Sequence, residues 1–174
     1  MRVLAVLGLV LSVRCAAAAT DAWEAIGPSA IGRDRAAVGA AVALACDQGE
    51  PLQRCTAPLT ELAGVPVRGL EAGFRDGRLA WVTVRLDPDR YAAALEAVRA
   101  RLGEPEDRSF RARAGMAGDF EAGVQLWNAG DVAVVLEQYA GKIDRGALRY
   151  GDARAMAELV ARKRAYPPGA WRDL

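Results

Sequence analysis

Leu70-Glu71-Ala72-Gly73-Phe74-Arg75-Asp76-Gly77-Arg78-Leu79-Ala80-Trp81-Val82-Thr83-Val84-Arg85-Leu86 decides the fold class of this chain. Leu70, Ala72 and Phe74 alternate with polar or small residues, which is the period of a strand. Asp76-Gly77 is the pair that a two-residue hairpin turn prefers, because both residues tolerate a positive φ. Leu79 to Leu86 reads as the return strand. Counting back from the turn predicts that Phe74 pairs with Leu79 and Ala72 with Trp81. One face then carries Phe74, Leu79, Trp81 and Thr83, and the other Ala80, Val82, Val84 and Leu86. A strand apolar on both faces belongs in the middle of a sheet.

On the C-terminal side, Asp87-Pro88 opens a helix over 88–102 by capping chemistry. Tyr91, Leu95, Val98 and Leu102 form its apolar stripe, and Gly103 with Pro105 ends it. The segment 104–119 is charged, carries no apolar period and reads as a long loop. A second hairpin follows: Val124 to Trp127 leads into Asn128-Ala129-Gly130-Asp131, and Val132 to Tyr139 returns, apolar on both faces. Ala147–Tyr150 offers a further short strand. Asp152 caps a last helix over 153–164, with Met156, Leu159 and Val160 inward. On the N-terminal side, Asp34 caps a helix over 34–46 with Val38, Ala41, Val42, Ala45 and Cys46 on one face. The segment 47–57 reads as a loop, and Thr60–Val67 as an edge strand held to that position by Pro66. Clustered antiparallel hairpins predict an α+β class, with an antiparallel sheet built from two hairpin units and three helices packed on it.

Export is expected from the first residues. Met1-Arg2 is a positive start, Val3 to Val13 is apolar, and Ala16 to Ala19 supplies a small-residue exit. The apolar run is too short for a membrane span. Residues 1–19 read as a signal peptide cleaved near Ala19, and 20–174 as a single α+β domain. Cys15 follows Ser12-Val13-Arg14, which departs from a lipobox, so this cysteine is expected to leave with the signal. The expected location is the periplasm, or outside the cell, with no transmembrane anchor left in the mature chain.

Cys46 and Cys55 then form an even pair in an oxidising compartment and read as a disulfide. Loop-closure entropy gives such a bridge about 2.7 kcal/mol. Losing Arg2 and Arg14 takes the net charge from +1 to −1, and a balanced charge gives no general attraction to nucleic acid. The chain has no histidine, so a Ser-His-Asp triad, a Cys-His pair and a His-based zinc site are excluded. No cofactor or metal site is expected.

Two charged groups remain as candidates for function. Arg108, Arg111 and Arg113 with Phe110 form a basic, aromatic-punctuated strip suited to a carboxylate or phosphate. The competing reading is an edge or loop protected by charge. Glu104, Glu106 and Asp119 could act as an acid–base pair in a glycan hydrolase, provided that one lies in a cleft.

Ile31-Gly32-Arg33-Asp34-Arg35-Ala36-Ala37-Val38 ahead of a sheet, and the helix ending Leu102-Gly103-Glu104-Pro105, resemble the BamE-like and beta-lactamase-inhibitor-protein-like families of small exported helix-plus-sheet proteins. The absent lipobox departs from the lipid-anchored BamE pattern. The resemblance implies a binding or assembly role in the cell envelope without catalysis, and it transfers no functional residue. The expected function is therefore an exported, non-catalytic binding or envelope-assembly accessory protein. Its partner would be an envelope protein or an anionic envelope component, reached through a sheet face or the 104–119 segment. An inhibitor of an envelope hydrolase, acting through a loop with Phe110 and Arg111, is the alternative, and the glycan hydrolase is a further one.

Overall fold

A computed structural model describes residues 22–49, 51–113 and 118–165. The expected signal peptide, residues 1–19, lies outside the described residues. The elements are α1 (Ala22–Ile26), α2 (Arg35–Gly39), β1 (Ala45–Cys46), β2 (Leu52–Ala57), β3 (Glu61–Leu62), β4 (Val65–Pro66), β5 (Leu70–Arg75) and β6 (Arg78–Leu86). They continue with α3 (Tyr91–Leu102), β7 (Glu106–Asp107), β8 (Phe110–Arg113), β9 (Asp119–Ala122), β10 (Val124–Ala129), β11 (Val132–Glu137), β12 (Gly146–Asp152) and α4 (Ala153–Ala165).

The α+β class holds, and the sheet is larger than two hairpin units. Eight strands run in the order β1-β2-β5-β6-β12-β11-β10-β7, every neighbouring pair antiparallel. Both expected hairpins are present as β5–β6 and β10–β11. Each half of the chain is a helix followed by four sheet strands, α2-β1-β2-β5-β6 and α3-β7-β10-β11-β12. The last strands of the two halves, β6 and β12, pair at the centre. Each half also sets a small hairpin aside, β3–β4 in the first and β8–β9 in the second.

Four helices stand among the described residues where three were expected. α1 was not anticipated because it is a single short turn; its Trp23 and Ile26 are nevertheless buried in the main core. The expected 34–46 helix stops at Gly39, and Ala45–Cys46 is instead extended in β1. Cys46 lies opposite Cys55 there, and a residue paired across a ladder cannot also sit in a helix. Asp34 occupies the N-cap position without a side-chain cap bond. The expected 47–57 loop contains β2, which Gln53, Arg54 and Thr56 disguised as polar. The expected 104–119 loop contains β7, β8 and the start of β9, which contribute to an edge of the sheet and a side hairpin. The 60–67 segment is the separate β3–β4 hairpin and joins neither edge of the main sheet. Asp152 caps α4 as expected, its carboxylate accepting from the Ala155 amide at 2.9 Å.

One register expectation fails with a large consequence. Phe74 does pair with Leu79, but Gly73 then pairs with Trp81 and Ala72 with Val82. Ala80 is an extra residue, a β-bulge in β6. A bulge shifts the following residues to the opposite face. Val82, Val84 and Leu86 therefore join Leu79 in the core, whereas Trp81, Thr83 and Arg85 turn to the other face.

The core on the first face takes Leu70, Ala72 and Phe74 from β5, Val134 and Leu136 from β11, Leu148 and Tyr150 from β12, and Ala94 and Val98 from α3. Tyr150 is fully buried, and its hydroxyl donates to the Ile26 carbonyl, tying the central strand to α1. Burial raises the Tyr150 pKa above its ordinary value of 10.0. A group whose folded pKa is raised contributes stability below its unfolded pKa and loses it as pH rises through and beyond that value. Stability should thus fall above about pH 10, by up to roughly 1.4 kcal/mol per pH unit for one proton. Tyr150→Phe should flatten this alkaline fall. At pH 7 it should cost about 1–3 kcal/mol, since the Ile26 carbonyl loses its donor. Urea unfolding at pH 7 and pH 10.5 checks both, and equal alkaline slopes in the two proteins would exclude Tyr150 as the cause.

Candidate functional site

The cysteines are joined as expected. Cys46 and Cys55 form a disulfide directly across β1 and β2, with Cα atoms 3.9 Å apart. The bridge clamps a two-residue strand at one edge of the sheet.

The expected basic strip divides between two faces of a hairpin. Arg108 is half-buried and ion-paired with Glu106, while its backbone amide donates to the Val124 carbonyl at 2.9 Å. Phe110 packs inward against the second apolar cluster, which holds Val124, Leu126, Ala133, Val135 and Val160. Arg111 is exposed and stands in register with Glu121, as Arg113 does with Asp119. Arg108 is thus paired with an acid, and Arg111 and Arg113 stand in register with one. Of the carboxylates considered for hydrolysis, Glu104 is exposed and bonded to Arg99 at 2.8 Å. Glu106 is exposed and paired with Arg108, and Asp119 is exposed in β9. None has the burial that a general acid with a raised pKa requires.

A polar cleft of about 340 Å³ lies between the start of α2, the residues Gly49, Pro51 and Gln53, and the β5–β6 turn. Within it Arg35 donates to the Gln53 side-chain oxygen at 2.6 Å, and Gln53 donates onward to the Asp47 carbonyl at 2.6 Å. Those bonds hold the disulfide-closed segment against α2.

A different surface stands out from the register. On the face turned away from the main core, neighbouring strands place Arg54, Gly73, Trp81, Gly151 and Ala133 in one row. The next row is Thr56, Glu71, Thr83, Arg149 and Val135, and the third brings Arg85 beside Ala147 and Glu137. The same face is therefore apolar over β10–β11 and polar with one aromatic over β2, β5 and β6. α4 and Phe110 cover the apolar half. Among the described residues no helix packs against β2, β5 or β6 on this side.

Trp81 is the centre of the open half. A Cβ built on Gly73 would meet the indole at 2.1 Å from Nε1 and 2.3 Å from Cε2. The ring therefore lies down over the Gly73 backbone, occupying the space that any side chain there would fill. On the other flank, a Cβ on Gly151 would stand 3.0 Å from the Trp81 Cβ. Two glycines in two strands make a trough for one half-buried tryptophan.

The charges around it are of two kinds. Glu137 is fully buried and ion-paired with Arg149, whose side chain keeps 23% exposure at the boundary of the open half. Burial lowers the Arg149 pKa from its ordinary value. Arg54, Arg75 and Arg85 are exposed, and among the described residues none has an ion-pair partner. Elsewhere most arginines lie within 4 Å of an acid, as in Arg68–Asp87, Arg99–Glu96 and Arg162–Glu158.

None of these positions was singled out as functional from the sequence. Trp81 was assigned to the core face, because the bulge at Ala80 has no composition signal of its own. Gly73 was the available clue, since glycine inside a strand marks a bulge or a close approach. Gly73→Val should force the indole off the sheet at a cost of about 1–3 kcal/mol from overpacking. The check is the Trp81 indole resonance, assigned by Trp81→Phe, together with urea unfolding. An unmoved resonance and unchanged stability would mean that the ring does not lie on Gly73.

No protein-family model matches the chain, and no curated protein matches it. Among solved structures, a cysteine-rich secretory protein from Staphylococcus aureus is similar at 8% identity and a TM-score of 0.42, over 74% of this chain and 45% of that one. The chain thus spans less than half the length of that structure, and a likeness at this level carries neither a fold nor a function across.

Proposed function

We propose that this chain is an exported, non-catalytic binding protein of the bacterial envelope, which takes an anionic envelope component on the open half of its sheet. The observation that carries this is Trp81, laid in the Gly73–Gly151 trough on a face that also holds Arg54, Arg75 and Arg85, which have no ion-pair partner among the described residues and outnumber the half-buried acid beside them, Glu71. A half-exposed tryptophan among arginines combines the two residue types most enriched where binding energy concentrates. Desolvating three guanidiniums is favourable only against a partner that supplies negative charge. The disulfide and the signal-like N-terminus support the assignment to an oxidising compartment. The resemblance to BamE-like and inhibitor-like families implies a role of the same kind.

The test is association of the full chain with envelope material in the cell that makes it, followed by fractionation. Arg54→Glu with Arg85→Glu should abolish salt-sensitive sedimentation with the envelope, and Arg111→Glu should leave it intact. A photo-crosslinker at Thr83 should label the bound component. The reverse pattern, with loss only in Arg111→Glu, would favour the inhibitor alternative through the β8–β9 hairpin, where Phe110 and Arg111 lie.

A further inference from the structure

We infer that the occupant of the open face is an anionic oligosaccharide, a chain of uronic-acid type that stacks a pyranose ring on Trp81 and places its carboxylates on the surrounding arginines. This rests on the binding reading above and specifies the chemistry of the same site.

The first reason is the attitude of the ring. The Trp81 indole lies over Gly73, its Nε1, Cε2 and Cδ1 atoms taking the space of a side chain there, and the half-buried ring offers its remaining surface as a platform. A platform suits a flat ligand ring lying along the surface. The electron-rich indole face attracts the axial C–H groups of a pyranose, which carry partial positive charge. An interface anchor of a protein complex instead stands out from the surface and fills a pocket.

The second reason is size. The open half spans three strands, β2, β5 and β6, and three side-chain rows, Arg54–Trp81, Thr56–Thr83 and Arg85. Strand spacings of about 4.8 Å and row spacings of about 6.8 Å make this patch roughly 14 Å by 20 Å, or ~290 Å². A standard protein interface needs about 800 Å² on each partner. An oligosaccharide of about four sugars needs no more than the patch offers.

The third reason is charge placement. Arg54 shares the Trp81 row on one side, and Arg85 lies four residues along β6 on the other. Arg149 stands diagonally beside Trp81 on β12, its guanidinium held by the buried Glu137. An arginine held in this way loses little rotamer freedom on meeting a carboxylate. Thr56, Glu71 and Thr83 lie between these arginines, the threonines bringing hydroxyls and Glu71 an acceptor for a sugar hydroxyl to the same surface.

The test is calorimetric titration of the full chain with tetramers of galacturonate, glucuronate and mannuronate, against a neutral glucose tetramer and a tetraglutamate peptide at equal ionic strength. At least one uronate tetramer should bind, shift the Trp81 indole resonance, and bind at least tenfold more tightly than the neutral tetramer. Trp81→Ala should weaken that binding at least tenfold with its far-UV circular dichroism unchanged. Arg85→Gln, at an exposed position where folding is not at stake, should weaken it about threefold to tenfold. Three results would overturn the inference: no uronate binding up to 10 mM, equal binding of the neutral tetramer, or tetraglutamate binding as well as the uronates. The third would make an acidic polypeptide the occupant. In each of these cases, envelope association that still depends on Arg54 and Arg85 would leave the broader binding role standing, and its loss would remove both.

Discussion

Arg149→Leu should cost about 3–5 kcal/mol of stability at pH 7, the largest effect expected of any single polar substitution in this fold. Glu137 is fully buried, and Arg149 is its ion-pair partner from the neighbouring strand. Removing the guanidinium takes the cross-strand counter-charge from a fully buried carboxylate, whose ionised form is then costly. Removing both charges is a different matter. Glu137→Leu combined with Arg149→Leu should recover most of the loss, because a buried ion pair gains little over apolar groups of similar volume. The cost in the single variant comes from the ionised form of the acid, so lowering the pH from 7 to 4 should restore much of the variant's stability relative to the parent. Urea unfolding of the parent, the single and the double variants at both pH values supplies the check. A single-variant loss that is the same at pH 4 and pH 7 would show that the ionised carboxylate is not its source.

Replacing Cys46 and Cys55 together by alanine should cost about 2–4 kcal/mol. The loss should be uneven across the molecule. β1 is two residues long and touches the sheet only through β2. The turn between the cysteines keeps other ties: the Asp47 carboxylate accepts from the Arg54 amide at 3.0 Å and from the Gly49 amide at 3.2 Å. The turn should therefore persist while Ala45 and residue 46 fray. Hydrogen exchange should rise first at 45–47, and the central β6 and β12 amides should change only in step with global stability. Uniform loss of protection along all eight strands would mean that the bridge supports the whole core rather than one edge.

Much of the fold was legible in local chemistry. Asp76-Gly77 between alternating segments marked the β5–β6 hairpin, and Asn128 to Asp131 marked the β10–β11 hairpin. Gly103 and Pro105 ended α3 where expected, and Asp152 capped α4. The strands that escaped notice, β1, β2, β7 and β8, are short or rich in Gln, Arg and Glu. They are held by pairing with neighbours rather than by an apolar period, so nothing within their own residues announced them. The 34–46 segment shows the opposite failure. Its helical spacing was real, but cross-strand pairing of Cys46 with Cys55 outweighed the weak propensity of a stretch containing Gly39.

The candidate site was less legible than the fold, because it depends on a count. One extra residue, Ala80, turns Trp81, Thr83 and Arg85 from the face assigned to them by simple alternation. That puts a tryptophan on the open surface and three valine and leucine side chains into the core. The sequence by itself determined the α+β class, the two hairpins, the disulfide pair and the absence of histidine chemistry, since each of these follows from residue type and short-range spacing. The tertiary structure alone decided that β6 and β12 join the two halves into one sheet, that α4 and Phe110 cover only the apolar half of its second face, and that Arg54, Trp81, Arg85 and Arg149 share the other half. Those residues come from three strands far apart in the chain, and only hydrogen-bond register between strands, a long-range property, brings them together.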